Sequence, residues 1–321
     1  MSRYILRRTI QLIPILLSIS VIVFVLVELA PGDPVDALIP PGTLGVSESV
    51  RENLREQKGL NDPAPIRYVY WLRRAVQGDF GYSLASQRPI SRIILDRLPA
   101  TLLLVGFALL VSLVLGILTG VLSAVKQYSW IDYLVTLLSF AWLSIPIFFL
   151  GLLMIYIFAV RLGWFPAFGM SDPGVSGFDT VTDRLHHLVL PGITLGLELT
   201  AALTRFVRSS LLEVLESDYM RTARAKGLAE RIVVLRHGLR NALIPMITVV
   251  ALRLPILFGG AVVVETVFQW PGLGTPTLSA ANQRDYPLVM ALALFMATIV
   301  VLSNFLADLA YAVADPRIRY D

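Results

Sequence analysis

Apolar residues in this chain gather into long runs separated by shorter polar stretches. Six runs predict membrane-spanning helices: Thr9–Leu29, Pro99–Val125, Tyr133–Val160, Leu188–Leu212, Leu243–Glu265 and Pro287–Tyr311. Each reaches the roughly 20 residues that a helix needs to cross a hydrocarbon core of about 30 Å. The first run follows Arg3, Arg7 and Arg8, as a secretory leader would. It is too long for a leader's apolar region, however, and no small-x-small cleavage site follows it, so it reads as a retained span. The fold expected is an all-α integral membrane protein with six transmembrane helices.

The polar stretches set orientation and domain limits. An even number of spans places both termini on one side, with Arg3, Arg7, Arg8, Lys126, Arg317 and Arg319. The same side holds Arg205, Arg208, Arg221, Arg224, Lys226, Arg231, Arg236 and Arg240, whereas the two shorter opposite loops hold only Arg161, Arg184 and Arg284. Positive residues stay inside, so both termini are expected in the cytoplasm. Residues 31–98 then form an extracytoplasmic insertion, whose nine basic residues do not block translocation of so long a segment. Two helices are predicted there. One runs from Val50 to Lys58, with a Ser49-x-x-Glu52 capping box and a stop at Gly59. The other starts near Pro65, carries Ile66, Val69, Leu72 and Val76 on one stripe, and stops at Gly78. The domains expected are a first helix (1–30), this small, mainly helical insertion (31–98), a five-helix core (99–315) with a cytoplasmic loop at 213–240, and a cytoplasmic tail (316–321).

Along the second run, Ala108, Ser112, Gly116, Gly120 and Ala124 recur every four residues and make a ridge of small side chains. Such a ridge lets another helix backbone approach closely, in the chain itself or in a partner subunit. Composition agrees with a membrane protein: 56% of residues are hydrophobic and 16% charged. The pI near 9.4 reflects cations placed between apolar runs, which reads as topology control and not as a nucleic-acid surface. With no cysteine, a disulfide framework, thiolate chemistry and cysteine-held metal sites are excluded.

The cytoplasmic stretch Ser217–Gly227, SDYMRTARAKG, carries the clearest helix signals. Ser217 or Asp218 suits the N-cap, Asp218 and Lys226 complement the helix dipole, and Gly227 permits a left-handed stop. Thr222, Ala223 and Ala225 keep the helix slim enough for a groove on another protein. Arg221, Arg224 and Lys226 would meet acidic groups at its rim, or anionic lipid. The segment DYMRTARAKGLAERIVVLRHGLRNALIPMIT (Asp218–Thr248) resembles the coupling-loop region of binding-protein-dependent ABC importer permeases, and their peptide and nickel branch in particular. The family's Glu-Ala-Ala triplet before the glycine becomes Arg221, Thr222 and Ala223. Leu239 and Arg240 stand where Leu-Pro is usual.

Three further regions carry the resemblance. They are RYILRRTIQLIPILLSISVIVFVLVELAPGDPV, which is similar to the first permease type, GDFGYSLASQRPI with Leu98-Pro99-Ala100-Thr101, and VVETVFQWPGLG with RDYPL through DPRIRY. The resemblance implies a type I importer permease in a bacterial or archaeal cell membrane. It implies a second homologous permease, two ATPase subunits carrying ATP and magnesium, and an extracytoplasmic solute-binding protein. This chain has no G-x-x-x-x-G-K-[ST] loop to cradle phosphates and is expected to bind no cofactor and catalyse no reaction. The coupling residues implied are Asp218, Tyr219, Arg221, Ala223, Arg224, Lys226 and Gly227.

Within the spans, Arg253 and Glu198 come to similar depth, either as a structural ion pair or as a substrate contact. Arg253 would suit a peptide carboxylate through two parallel hydrogen bonds. Di- or oligopeptides are the expected cargo, with nickel or a sugar as alternatives. An ion-coupled carrier is disfavoured by the scarcity of intramembrane acids, and a membrane enzyme by the lack of a catalytic cluster. Pro146, Pro245 and Pro255 predict kinks that would gate the path or only shape the bundle. His186 and His187 are neighbours and point about 100° apart on a helix, so no metal site is expected there. Phe268 and Trp270, in the turn Trp270-Pro271-Gly272-Leu273-Gly274, suit the membrane interface, a docked binding protein or closure of the path.

Overall fold

In the computed structural model, residues 2–29, 47–57, 61–174, 179–243 and 246–314 are described. Pro245, Lys58, Gly59, the segment 31–46 and the tail 316–321 lie outside them. The chain divides into two compact units, Met1–Ala100 with Gly272–Val301 and Thr101–Pro271 with Leu302–Asp321.

The first unit contains α1 (Ser2–Glu28), α2 (Glu48–Gln57), α3 (Ala64–Val76), the start of α4 (Ile90–Val125) and Gly272–Val301. Its core joins Ile90, Ile93 and Ile94 to Leu273, Ala280, Leu288, Ala291 and Leu292. A buried carboxylate organises this region. Asp285 Oδ1 accepts the Leu288 N–H at 3.3 Å, while Oδ2 accepts from Ser83 Oγ at 2.6 Å and the Ala85 N–H at 3.3 Å. Asp285 thus caps the last helix and pins a loop that is 200 residues away in sequence.

The insertion departs from its sequence reading in two ways. α2 begins two residues earlier than expected, at Glu48, with the Val50 N–H bonded to Ser47 O, so Ser49 lies inside the helix and forms no capping box. α3 starts beside a proline and stops before Gly78 at φ +78°, as expected. Its stripe does not face a core, however: Val69 is 61% and Val76 81% exposed. α3 instead meets α1 through Tyr68 and Trp71, whose rings lie 5.4 and 6.5 Å from that of Phe24, and through an Arg67–Glu28 ion pair.

In the second unit α4 continues and is followed by α5 (Trp130–Ser144), α6 (residues 147–161), α7 (Asp179–Leu215), α8 (Asp218–Ala225), α9 (residues 230–242) and α10 (Met246–Val267). The remaining helices are α11 (Gly274–Asn282) and α12 (Tyr286–Ala314). Among the described residues, α1, α4, α7, α10 and α12 contain the five stretches long and apolar enough to cross a membrane. A sixth span requires α5 and α6 together, and these are bent by 111°. The third apolar run is therefore broken where only a kink was expected. Pro146 has no N–H to continue α5, and Ile145 before it takes extended backbone, φ −89° and ψ 125°, as a residue preceding proline must. Pro255, by contrast, leaves α10 continuous.

α7 is the axis of this unit. Its apolar window is 83% buried, against 33% or less for the other candidate spans, so it reads as the interior helix. The small-residue ridge of α4 lies against it. A Cβ on Gly116 would come within 2.7 Å of Leu203 Cβ, and one on Gly120 within 2.7 Å of Val207 Cβ and 2.9 Å of Thr204 O. Ser112 Oγ lies 2.7 Å from both Ala108 O and Gly196 O, and Thr119 and Thr204 hydroxyls meet at 2.7 Å. The ridge thus serves packing within this chain.

At one end of that contact α4, α5 and α7 are clamped by charge. Arg208 Nε and Nη2 each donate to a different oxygen of Asp132 at 2.8 Å. Ser123 Oγ and the Tyr128 N–H (3.0 Å) satisfy the same carboxylate. Asp132 is 3% exposed, so removal of its partner strands a buried anion.

Two predictions follow from this packing. Gly120→Ala destabilises the protein by about 1–3 kcal/mol through overpacking against α7. Gly106→Ala, whose added carbon meets nothing within 4 Å, leaves the apparent melting midpoint in detergent unchanged or higher. Arg208→Met costs about 3–5 kcal/mol, and adding Asp132→Asn recovers part of the loss because no bare charge is left. Strictly additive losses in that cycle would show that the two side chains do not act as a pair.

Candidate functional site

The eight residues of α8 stand out from the spans and are amphipathic. Ser217 takes the extended N-cap conformation, but its Oγ donates back to Val214 O at 2.5 Å and accepts no helix N–H. Asp218 in the first turn is left to complement the dipole. The other end stops as expected: the Gly227 N–H donates to Arg224 O at 2.9 Å, and Gly227 adopts φ +75°, where a side chain would be strained.

The faces of α8 differ from the sequence reading. Met220 and Ala223 are buried against Val233, Val214 and Leu215, so Ala223 faces its own chain and not a partner groove. Arg224 is also engaged internally. Its Nη2 donates to Glu230 Oε1 at 2.9 Å and its Nη1 to Leu215 O at 3.3 Å. The hydrogen bond from Arg224 holds the Glu230 carboxyl below its usual range. What remains outward is Tyr219, Arg221, Thr222, Ala225 and Lys226, with Arg221 3.6 Å from the fully exposed carboxylate of Asp218. Beyond Gly227, α9 contains a π-helical segment, Val233–Leu239, and Gly238 packs against Leu211 and Met220. α8 is therefore a surface mounted firmly on the end of α7.

A second site lies between α6, α7 and α10. Ile147, Leu195, Glu198, Leu199, Arg253, Ile256, Leu257 and Gly260 line a small, partly open cleft. Arg253 and Glu198 are both half-buried there, yet no Arg253 nitrogen comes within 4.0 Å of a Glu198 carboxylate oxygen. Sequence depth brought these two together, and the structure places them on one wall without pairing them. The cleft thus presents a cation and an anion on an apolar lining. Ile147, the residue after Pro146, lies on its edge, so the break between α5 and α6 shapes this cleft.

Two other expectations are corrected. Trp270 and Phe268 are 0% and 2% exposed, so neither anchors the chain at a membrane interface. Glu265, at the end of α10, is fully buried and accepts a 2.6 Å hydrogen bond from Thr101 Oγ1. The Arg208–Asp132 clamp escaped the sequence reading altogether, where Arg208 counted only towards topology. Its one available signal was an aspartate immediately before the third apolar run.

Comparison with known proteins agrees with this architecture. Residues 116–320 match the family described as binding-protein-dependent transport system inner membrane component, and residues 1–105 match the family of its N-terminal region. The chain is 47% identical over 321 residues to the oligopeptide transport system permease protein AppB of Bacillus subtilis, covering 100% of both chains. It is 40% identical to the dipeptide transport system permease protein DppB of Alkalihalophilus pseudofirmus, with both chains fully covered. The same identity and coverage hold for the glutathione transport system permease protein GsiC of Escherichia coli K12. Among solved structures, an inward-facing MetNI methionine ABC transporter chain is similar with a TM-score of 0.56 at 18% identity, covering 70% of this chain and 96% of that one, which speaks for the fold alone. The chain therefore belongs to the binding-protein-dependent inner membrane components of ABC importers and is a multi-pass permease subunit.

Proposed function

We propose that this permease forms half of a translocation path for peptides delivered by an extracytoplasmic binding protein. The observation that carries this reading is identity of 40–47% over the full chain to permeases named for oligopeptide, dipeptide and glutathione transport. The cleft supports it chemically. Arg253 offers a two-pronged contact to a peptide carboxylate and Glu198 a partner for the ammonium end. A second permease supplies the other half of the path. Two ATPases dock on the outward face of α8, where Tyr219, Arg221 and Lys226 meet their grooves while Ala223 and Arg224 hold the helix to this chain. Both termini lie in the cytoplasm.

The whole transporter tests the reading. Affinity purification of this chain recovers a second permease, two ATPases and a solute-binding protein by mass spectrometry; a working transporter without any ATPase sinks the proposal. Arg253→Ala lowers uptake of labelled peptide at least about tenfold, as expected for loss of a charged hydrogen bond. That loss comes with complex assembly and basal ATP hydrolysis unchanged. Unimpaired uptake in the intact complex removes Arg253 from the path.

A further inference from the structure

The loop between α6 and α7 folds back so that three side chains, at positions 172, 183 and 187, converge. One nitrogen of His187 and one carboxylate oxygen from each of Asp172 and Asp183 lie within 4.8 Å of one another. Asp183 and His187 are one turn apart on α7, and Asp172 arrives from the loop, its N–H donating to Asp183 Oδ2 at 2.8 Å. The imidazole is no surface group: its side chain is 2% exposed, and that of Asp183 13%.

The ring has a defined orientation. Nδ1 lies 3.0 Å from Asp183 O and 3.3 Å from Asp183 Oδ1. Both lie on the Nδ1 side of the ring, and Nε2 is turned towards Asp172. Nε2 stands 3.6 Å from Asp172 Oδ1, longer than the roughly 2.7–3.2 Å of an N–H···O hydrogen bond. Two donors bound tetrahedrally at about 2.0–2.1 Å sit about 3.3 Å apart, close to the spacing found. An imidazole held through Nδ1–H to a backbone carbonyl, with Nε2 presented, is also how proteins orient a metal-binding histidine.

From this geometry we infer that Asp172, Asp183 and His187 form a binding site for a divalent transition metal of the zinc type. One nitrogen and two carboxylate oxygens match that class, and water would complete the coordination. The ion would clip the loop to the start of α7. His186, next in sequence, belongs to a different contact: its Nε2 meets Trp164 O at 2.8 Å and its ring stacks near Phe165. The site is independent of the cargo assigned above.

The test is equilibrium binding of Zn²⁺ to the full chain purified in its assembled transporter, paired with a thermal-shift measurement. The expected result is about one saturable equivalent per copy of this chain, with a zinc-dependent rise in melting midpoint. Asp172→Asn and His187→Ala weaken binding at least about tenfold and abolish the shift, while His186→Ala binds as the parent does. Asp172 is 69% exposed, so Asp172→Asn remains decisive even where His187→Ala does not assemble. No saturable binding to the parent chain, or undiminished binding to Asp172→Asn, overturns the proposal.

Discussion

The close approach of α4 to α7 is the constraint on which the second unit depends. Lipid tails are as apolar as leucine, so helices in a bilayer gain little from hiding apolar surface and must pack through shape and polar contacts. Gly116 and Gly120 remove the side chains that would hold the two backbones apart, and Ser112 and Thr119 use the contact for hydrogen bonds. Once α7 is seated, much else hangs from it. Glu198 faces the cleft, Arg208 makes the clamp, and Val214 and Leu215 support α8. From Glu198 to Leu215 is 17 residues along one helix, a rise of about 25 Å. The cleft and the mount of α8 thus lie along one continuous helix.

The break at Pro146 plays the opposite part. Where α7 runs unbroken, the α5–α6 junction redirects the chain, and it does so beside the same cleft. A helix interior must satisfy its backbone internally, so a turn of 111° at membrane depth is tolerable only against protein or a wet cavity. Asp132 anchors α5 at its start while Gly151 of α6 packs against Val267, Phe268 and Thr194. Both segments of the broken run are therefore held.

Much of this was legible in the chain because it follows from short-range rules. Apolar length gave the spans, Gly227 the end of α8, and the four-residue recurrence of small residues the α4 ridge. Pro146 was visible, but the size of its bend depends on Ile145 adopting extended backbone and on what α6 then packs against. The direction of α8 was not readable: Ala223 looked slim and outward until Met220 and Ala223 were seen against Val233. Contacts between distant residues were the least accessible. Asp132 with Arg208, Asp285 with Ser83, and Asp172 with His187 leave no periodic trace, since each needs the fold to bring its partners together. The resemblance to importer permeases covered the chain from end to end, but it named roles for residues without saying which way they face.

The inward orientation of Ala223 has a consequence for how such subunits can be exchanged. In the proposed arrangement α8 has two independent audiences, and the residues serving them alternate along one turn. Grafting the whole segment from a related permease would import foreign internal packing together with the foreign docking face. A chimaera meant to accept another importer's motor should replace Tyr219, Arg221, Ala225 and Lys226 while keeping Met220, Ala223 and Arg224 from the host. In such a helix, compatibility with the scaffold and choice of partner are written in separate residues of the same eight-residue segment.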